Sequence, residues 1–183
     1  MSSSLQVLFS KVERPYTGVE LRPHFLLTEL GLRGSSLGAF IGACHVATEH
    51  LVDWEDRLAQ DRIEARWMVH FIGEFFGMSL REGVLVQRLL MATMGEMIPG
   101  AQRRGDDLFV QERKLSVSIV TASPVSLLLH AGINIDPAGA PVPAIGLREL
   151  GIAPEDWVPA VLERFSCEWS SMDWACAKVR PVM

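Results

Sequence analysis

The chain has 183 residues, of which 49% are hydrophobic and 21% charged, and its formal net charge is −5 at pH 7. This composition is typical of a globular protein, and the acidic balance argues against non-specific binding of nucleic acid. No apolar run reaches the roughly 18 residues that a membrane-spanning helix needs, and residues 1–5 lack the pattern of a signal peptide. We therefore expect one domain over residues 1–183, in a cytoplasmic protein that binds neither nucleic acid nor membranes.

The first half of the chain predicts strands on either side of a glycine-rich turn, followed by a long central strand. Hydrophobic spacing and turn residues give a short strand over 5–12, a helix or irregular segment over 21–30, and a turn over 31–38. A strand or hairpin over 37–52 follows. An acidic segment begins at Asp53, and residues 66–76 then predict the central strand.

The second half predicts a helix, three strands and a final helix. Apolar residues recur at three- and four-residue spacing over 80–98, a pattern typical of an amphipathic helix that ends at Pro99. Strands are predicted over 107–110, 115–121 and 127–135, and Asp156 is the predicted cap of the last helix. Strands and helices mix without strict alternation, which predicts an α+β fold with a mixed, largely antiparallel sheet packed by helices.

One lysine stands out in residues 106–116. The alternation of apolar and polar residues on either side of Lys114 predicts a half-buried pair of strands. A buried lysine is costly unless an anionic group meets it, and a strand holds a side chain more precisely than a loop does. By itself this pattern favours a solvated lysine at a hairpin bend, and the alternative is a lysine that faces a ligand.

Residues 107–115 resemble the catalytic lysine region of biotin protein ligases and lipoate ligases. Residues 127–135 resemble the Gly-hydrophobic-Asn strand that follows in those ligases, and also the His-Gly-hydrophobic-Asn strand of lipoyl and octanoyl transferases. The preceding apolar helix comes in the same order, so the resemblance spans about residues 67–135. It implies the biotin/lipoate ligase fold, which is class II synthetase-like.

The resemblance also implies roles for individual residues. Lys114 would contact the carboxylate of the acid and the α-phosphate of ATP, and would stabilise charge as an acyl-adenylate forms. Asp107 would help to hold magnesium or a ribose, and Asn134 would face the substrate. The alternative for His130 is a buried neutral histidine that donates to a backbone carbonyl. With Lys114 as the catalytic residue, the predicted substrate- or nucleotide-binding residues are Asp107, Arg113, Ser116, His130 and Asn134.

The full chain resembles still more closely an uncharacterised family found mainly in archaea, domain-of-unknown-function family three-sixty-six. The segments that carry this resemblance are 52–56, 70–75 and 114–126. Membership of that family implies no activity.

An acidic segment departs from the ligase pattern. Ligases carry an arginine- and glycine-rich loop there, whereas this chain has Asp53, Glu55 and Asp56, which repel an adenylate unless a metal ion bridges them. These three carboxylates, near His50, predict a site for magnesium or another divalent ion. The alternative is a solvated acidic loop.

Three functions follow from these features. The first is a ligase-like or acyl-transfer-like enzyme that binds a carboxylate- or phosphate-bearing small molecule at Lys114 with ATP and magnesium. The second is a non-catalytic ligand-sensing or protein-interaction module of the same fold. Three tryptophans near the C-terminus indicate either a packed terminal helix or a partner surface, and they are Trp157, Trp169 and Trp174. If they form a partner surface, we expect a homodimer. The third is a metal-dependent hydrolase that uses residues 50–56.

The chain contains three cysteines, Cys44, Cys167 and Cys176, in no metal-ligand pair such as C-x-x-C. All three are predicted to be buried free thiols.

Overall fold

A computed structural model describes residues 4–182. Residues 1–3, part of the stretch in which the sequence predicts no signal peptide, lie outside the described residues. The strands are β1 (Gln6–Phe9), β2 (Ser36–Val46), β3 (Ile63–Phe75), β4 (Gln102–Arg104), β5 (Asp107–Val110), β6 (Arg113–Lys114), β7 (Ser116–Ala122) and β8 (Leu127–Asp136). The α-helices are α1 (Phe25–Leu30), α2 (Trp54–Leu58), α3 (Leu80–Glu96) and α4 (Pro154–Ala177).

The main sheet has five strands in the order β1-β2-β3-β8-β7. Strand β1 pairs with β2 in parallel, and the other neighbours pair antiparallel. This confirms the predicted α+β class with a mixed, largely antiparallel sheet. Strand β3 lies in the middle of the sheet, where partners on both sides and packing on both faces explain its nearly continuous apolar sequence.

The two faces of the sheet bury different sets of residues, because successive side chains of a strand point to opposite faces. Phe71 and Phe75 of β3 pack in the core cluster that also holds residues of α3 and α4. Met68 and Ile72 pack in a second cluster with Tyr16 near the N-terminus. The same alternation puts every second side chain of β8 on the second face, opposite the two long helices.

Helix α3 confirms the predicted helix over 80–98, except that it ends at Glu96. It begins with a capping box, in which the Ser79 hydroxyl accepts from the backbone N–H of Glu82 and the Glu82 carboxylate accepts from the backbone N–H of Ser79. Its buried side chains include Leu90 and Met91, which join the larger core cluster.

Helix α4 begins earlier than predicted. The N-cap is Ala153 and Pro154 is the first helical residue, so Asp156 lies in the first turn and is not the cap. A proline fits at this position because the first turn has no intrahelical acceptor for its missing N–H. No helix among residues 4–182 is both long and apolar enough to cross a membrane.

The C-terminal tryptophans divide between packing and exposure. Trp157 is buried, and Trp169 stacks on Phe75 with ring centroids 5.2 Å apart. Trp174 is 67% exposed. The predicted packed terminal helix is therefore confirmed for the first two tryptophans, whereas the third lies on the surface.

The cysteines also differ from the prediction in part. All three are free thiols, and Cys44 is buried, where burial raises the pKa of its thiol to about 12. Cys167 and Cys176 are exposed on α4, so their predicted burial is wrong. The apolar stripe of α4 packs on the core only as far as Phe165 and Trp169, and later turns extend into solvent.

The smaller sheet, of three strands in the order β4-β5-β6, carries Lys114. A two-residue turn connects β5 to β6, and both of its residues, Gln111 and Glu112, have left-handed backbones with φ of 50° and 62°. Such a turn matches the twist of the strands that it connects. Lys114 therefore lies on β6 opposite Phe109, two residues after Glu112. It is not at the hairpin bend itself.

Candidate functional site

A cavity of about 390 Å³ opens on the second face of the main sheet. Its floor includes His130 and Asn134 of β8, and its walls include Lys114 of β6, residues near α2, and residues 140–144. A volume of this order is enough for a small organic ligand. The strands fix the floor, while the hairpin and the two loops form the walls.

Lys114 forms an ion pair with Asp107 on the wall of the cavity. The Lys114 Nζ atom lies 2.8 Å from the Asp107 Oδ2 atom, and the two side chains are 32% and 23% exposed. Burial raises the pKa of the Asp107 carboxyl, and the ammonium of Lys114 opposes this increase. An ammonium group has three donors, so this pair leaves Lys114 able to bind a further acceptor.

The backbone of Lys114 is held on both sides. Its N–H donates to the carbonyl of Pro143 at 2.9 Å, and its carbonyl accepts from the N–H of Ile145 at 3.0 Å. The Asn134 side chain donates to the same carbonyl at 3.3 Å. The lysine is thus anchored to the loop over the cavity and to β8, which gives it the fixed position that ligand binding requires.

Two buried histidines form a hydrogen-bonded pair, in which His130 belongs to the floor and His70 lies beside it on β3. His130 Nε2 lies 3.1 Å from His70 Nδ1, and His70 Nε2 lies 3.3 Å from the carbonyl oxygen of Gly42. A carbonyl only accepts, so His70 donates through Nε2, and its Nδ1 accepts the proton of His130 Nε2. Burial is the main cause that lowers the pKa of both imidazoles, to about 4 for His70. Both rings are therefore neutral at pH 7.

The sheet geometry brings these rings together. Gly132 of β8 lies opposite His70, and His130 lies opposite Ile72, so the two histidines are diagonal neighbours on one face. A Cβ atom on Gly132 would lie 2.8 Å from the Met68 methyl group and 3.3 Å from the His130 ring. The absence of a side chain at Gly132 therefore gives the rings their space. Tyr16 covers His130 with ring centroids 3.7 Å apart.

The rim of the cavity is acidic. The described lining residues that carry charge include the carboxylates of Asp56, Asp61 and Asp106, beside the ion pairs of Lys114 with Asp107 and of Arg62 with Glu64. Burial raises the pKa of Asp56, and the neighbouring Asp53 and Asp61 raise it further. The electrostatic field at this rim favours positive charge.

The predicted acidic loop is a short helix. Asp53 is the N-cap of α2, and its carboxylate accepts from the backbone N–H groups of Glu55 and Asp56, at 2.7 and 3.4 Å. Asp53 and Asp56 line the cavity, whereas Glu55 is exposed outside it. Among residues 4–182, no three acidic, histidine or cysteine side chains are grouped closely enough to hold a metal ion. The described residues therefore do not fit the predicted metal site.

Most of the other predicted site residues converge on the cavity. Its lining includes Lys114, Asp107, Ser116, His130 and Asn134. Arg113 does not line it, because it precedes Lys114 on the same strand and points to the opposite side, where it pairs with Glu149 at 2.7 Å. Ser116 has a structural bond, since its hydroxyl accepts from the backbone N–H of Leu108 at 2.7 Å.

Sequence reasoning missed three parts of the site. Tyr16 and Asp61 are far from Lys114 in the chain, and no motif links them to it. The loop over the cavity, residues 140–144, contains only alanine, proline and valine, so none of its side chains signals a binding role. His70 lies within a nearly continuous apolar strand, and its sequence neighbours do not indicate that one of its two hydrogen-bond partners is the cavity residue His130.

Comparison with known proteins identifies the family of this chain and one related protein. The family model described as "Domain of unknown function (DUF366)" matches residues 5–180. The chain belongs to this family. The DUF366 protein is 33% identical over 164 residues to an uncharacterised protein of Methanocaldococcus jannaschii, an alignment that covers 84% of this chain and 74% of that protein.

Solved structures show the same fold. A protein of unknown function from Pyrococcus horikoshi superposes with a TM-score of 0.92 at 37% identity, covering 98% of the DUF366 chain and all (100%) of the other. A biotin protein ligase variant from Aquifex aeolicus in complex with biotin superposes with a TM-score of 0.57 at 18% identity. The alignment covers 88% of the DUF366 chain and 68% of the ligase chain. A putative lipoate protein ligase from T. acidophilum with bound lipoic acid superposes with a TM-score of 0.56 at 12% identity. The alignment covers 91% of the DUF366 chain and 86% of the other chain. The last two similarities confirm the predicted ligase-like fold.

Proposed function

We propose that this DUF366 protein binds a small molecule that carries a carboxylate or phosphate group, and that Lys114 receives this anionic group in a ligase-like or acyl-transfer-like site. The observation that carries the proposal is the position of Lys114 on the wall of an open cavity. The lysine is paired with one carboxylate, is anchored through its backbone, and has donors left for a ligand.

The chemistry of the pair suits binding of a single anionic group. Asp107 neutralises Lys114 while the cavity is open to water, and it holds the ammonium group in place as a ligand approaches. A hydrogen bond between charged groups in a half-buried site contributes about 1.5–3 kcal/mol. The proteins of known structure with this fold support an acid as ligand, because one is a complex with biotin and another has bound lipoic acid.

ATP and magnesium fit the described residues poorly. A biotin protein ligase of this fold is a complex with biotin and ATP, but the rim of this cavity carries the carboxylates of Asp56 and Asp61, neither of which forms an ion pair among the described residues. These groups repel a triphosphate, and the described residues contain no group of three that would hold the metal ion. The proposal therefore contains no step through ATP or magnesium, and both belong to its test.

Isothermal titration of biotin, lipoic acid and inorganic phosphate, each with and without ATP and magnesium, tests the proposal. We expect at least one of these anions to bind, and Lys114→Ala to weaken its affinity about tenfold or more. The matched control is Lys178→Ala, which removes an exposed lysine at the end of α4, outside the cavity.

Three outcomes are decisive. Binding that is lost in the Lys114 variant and retained in the Lys178 variant supports the proposal. Binding that both variants retain, or no binding by the wild-type protein, contradicts it. Binding without any nucleotide-dependent product favours the ligand-sensing module over the enzyme.

A further inference from the structure

The floor of the cavity presents a hydrogen-bond acceptor that the protein itself does not use. His130 is 2% exposed and lines the cavity. Its Nε2 atom donates to His70, so in the neutral ring the Nδ1 atom carries a lone pair. No hydrogen bond within residues 4–182 involves this Nδ1 atom. An imidazole nitrogen with a lone pair accepts hydrogen bonds, so His130 lies where a donor of a ligand is expected.

The direction of the lone pair is fixed by the chain of hydrogen bonds behind it. The Gly42 carbonyl sets the tautomer of His70, and His70 in turn sets the tautomer of His130. Tyr16 stacks on the ring of His130 with an interplanar angle of 8° and prevents it from turning. With His70 donating to the Gly42 carbonyl and both rings neutral, the floor offers an acceptor at His130 Nδ1.

The rim adds further acceptors of the same kind. Among the described residues, no hydrogen bond or ion pair involves the side-chain carboxylate of Asp56 or of Asp61, although both line the cavity. The nearby cations form their ion pairs with other carboxylates, Lys114 with Asp107 and Arg62 with Glu64, although the charge of Lys114 also acts on Asp56 and lowers its pKa. Burial and like charges raise the pKa of Asp56, a cost that a bound cation would relieve.

We propose that the natural ligand carries, besides the anionic group bound by Lys114, a basic nitrogen of the amine or amidine type that donates hydrogen bonds to His130 and Asp56. The part of this inference that concerns Lys114 rests on the function proposed above. The nitrogen site stands on separate groups, namely a neutral acceptor on the floor and unpaired carboxylates at the rim. The substrate class is accordingly an amino- or amidino-substituted acid, which differs from a purely apolar acid.

Two probes of matched shape separate the two sites. Para-amidinobenzoate and para-isopropylbenzoate share the carboxylate and the planar ring, and only the first has N–H donors. In isothermal titration we expect the amidine to bind about tenfold or more tightly, since its N–H groups meet a charged acceptor. Asp56→Asn should abolish most of this difference, whereas the control Glu55→Gln, which alters the exposed neighbour outside the cavity, should preserve it.

A spectroscopic measurement examines His130 directly. In ¹⁵N-histidine-labelled protein, with the His130 signals assigned from His130→Gln, para-amidinobenzoate should shift the Nδ1 resonance of His130 more than its Nε2 resonance. Para-isopropylbenzoate should shift neither by a comparable amount. The assignment requires a folded His130→Gln variant without ligand, and the effect of the ligand is then measured on the wild-type protein alone.

The outcomes distinguish this inference from the proposed function. Equal affinity of the two probes, with both lost in Lys114→Ala, overturns the nitrogen site and leaves the anion site standing. Binding of benzamidine that depends on Asp56, together with no binding of para-isopropylbenzoate, supports the nitrogen site and contradicts the anion site. Binding of neither benzoate nor benzamidine overturns both.

Discussion

The neutral histidine pair makes the stability of this protein sensitive to acid. His70 and His130 are buried without charge, and burial lowers the pKa of His70 from 6.5 to about 4 and that of His130 in the same direction. Below pH 6.5 the unfolded chain therefore binds protons at these positions that the folded chain does not. Stability is fully present above pH 6.5 and falls as the pH decreases toward the folded pKa values.

The size of the effect follows from the pKa of His70. Each unit of pH between the two pKa values costs about 1.4 kcal/mol per group. Acidification from pH 6.5 to about pH 5 thus removes about 2 kcal/mol through His70 alone, and His130 adds to this loss. A domain of this kind has a total stability of about 5–15 kcal/mol, so the decrease is readily measured.

Urea denaturation followed by tryptophan fluorescence measures this effect between about pH 7.5 and about pH 5. The double variant His70→Gln/His130→Gln should be less stable at neutral pH and should show a flatter dependence on pH than the wild-type protein. His45→Gln is the matched control, because His45 is exposed on β2 and should leave the slope unchanged.

Nuclear magnetic resonance of the wild-type protein provides a test that does not depend on the variants. The imidazole of His70 should stay neutral, with Nε2 protonated, at about pH 5. Protonation of His70 near pH 6.5 would refute the reasoning. An unchanged slope in a folded double variant would refute it equally.

Two further substitutions test the packing that supports the site. Gly42→Ala should destabilise the protein by about 1–3 kcal/mol in urea denaturation, because its Cβ atom would lie 1.7 Å from the carbonyl oxygen of Arg14, an overlap with backbone. Normal stability of this variant would contradict the close approach of the two segments. Phe165→Ala should cost about 3–5 kcal/mol, since the ring is fully buried under the sheet. The control Trp174→Ala removes an exposed ring of the same helix and should change stability by less than about 0.5 kcal/mol. Equal losses of stability in the Phe165 and Trp174 variants would contradict this difference in burial.

Local patterns were sufficient to predict the main elements. The three- and four-residue spacing in α3 and the apolar runs of β3 and β8 report directly which faces are buried, so these elements were predicted closely. Short elements were less predictable. The acidic residues of α2 look like a solvated loop in sequence, but the Asp53 side chain caps a helical turn there.

Within the site, the residues close to Lys114 in sequence were easier to predict than the distant ones. Asp107 reaches the lysine across one tight hairpin, whereas Arg113 points away because neighbouring residues of a strand face opposite sides. The role of His130 depends on His70, sixty positions earlier in the chain, and no spacing rule connects positions on two strands until their register is known.

The sequence by itself determined the α+β class and the long helices and strands, because these follow from local periodicity. It singled out Lys114 through the resemblance of residues 107–115 to the ligases. The tertiary structure alone decided which groups share the cavity. Strand register placed His70 beside His130 on one face of the sheet, and a two-residue turn placed Lys114 next to Asp107. The acidic and acceptor-rich character of the cavity arises from these long-range contacts.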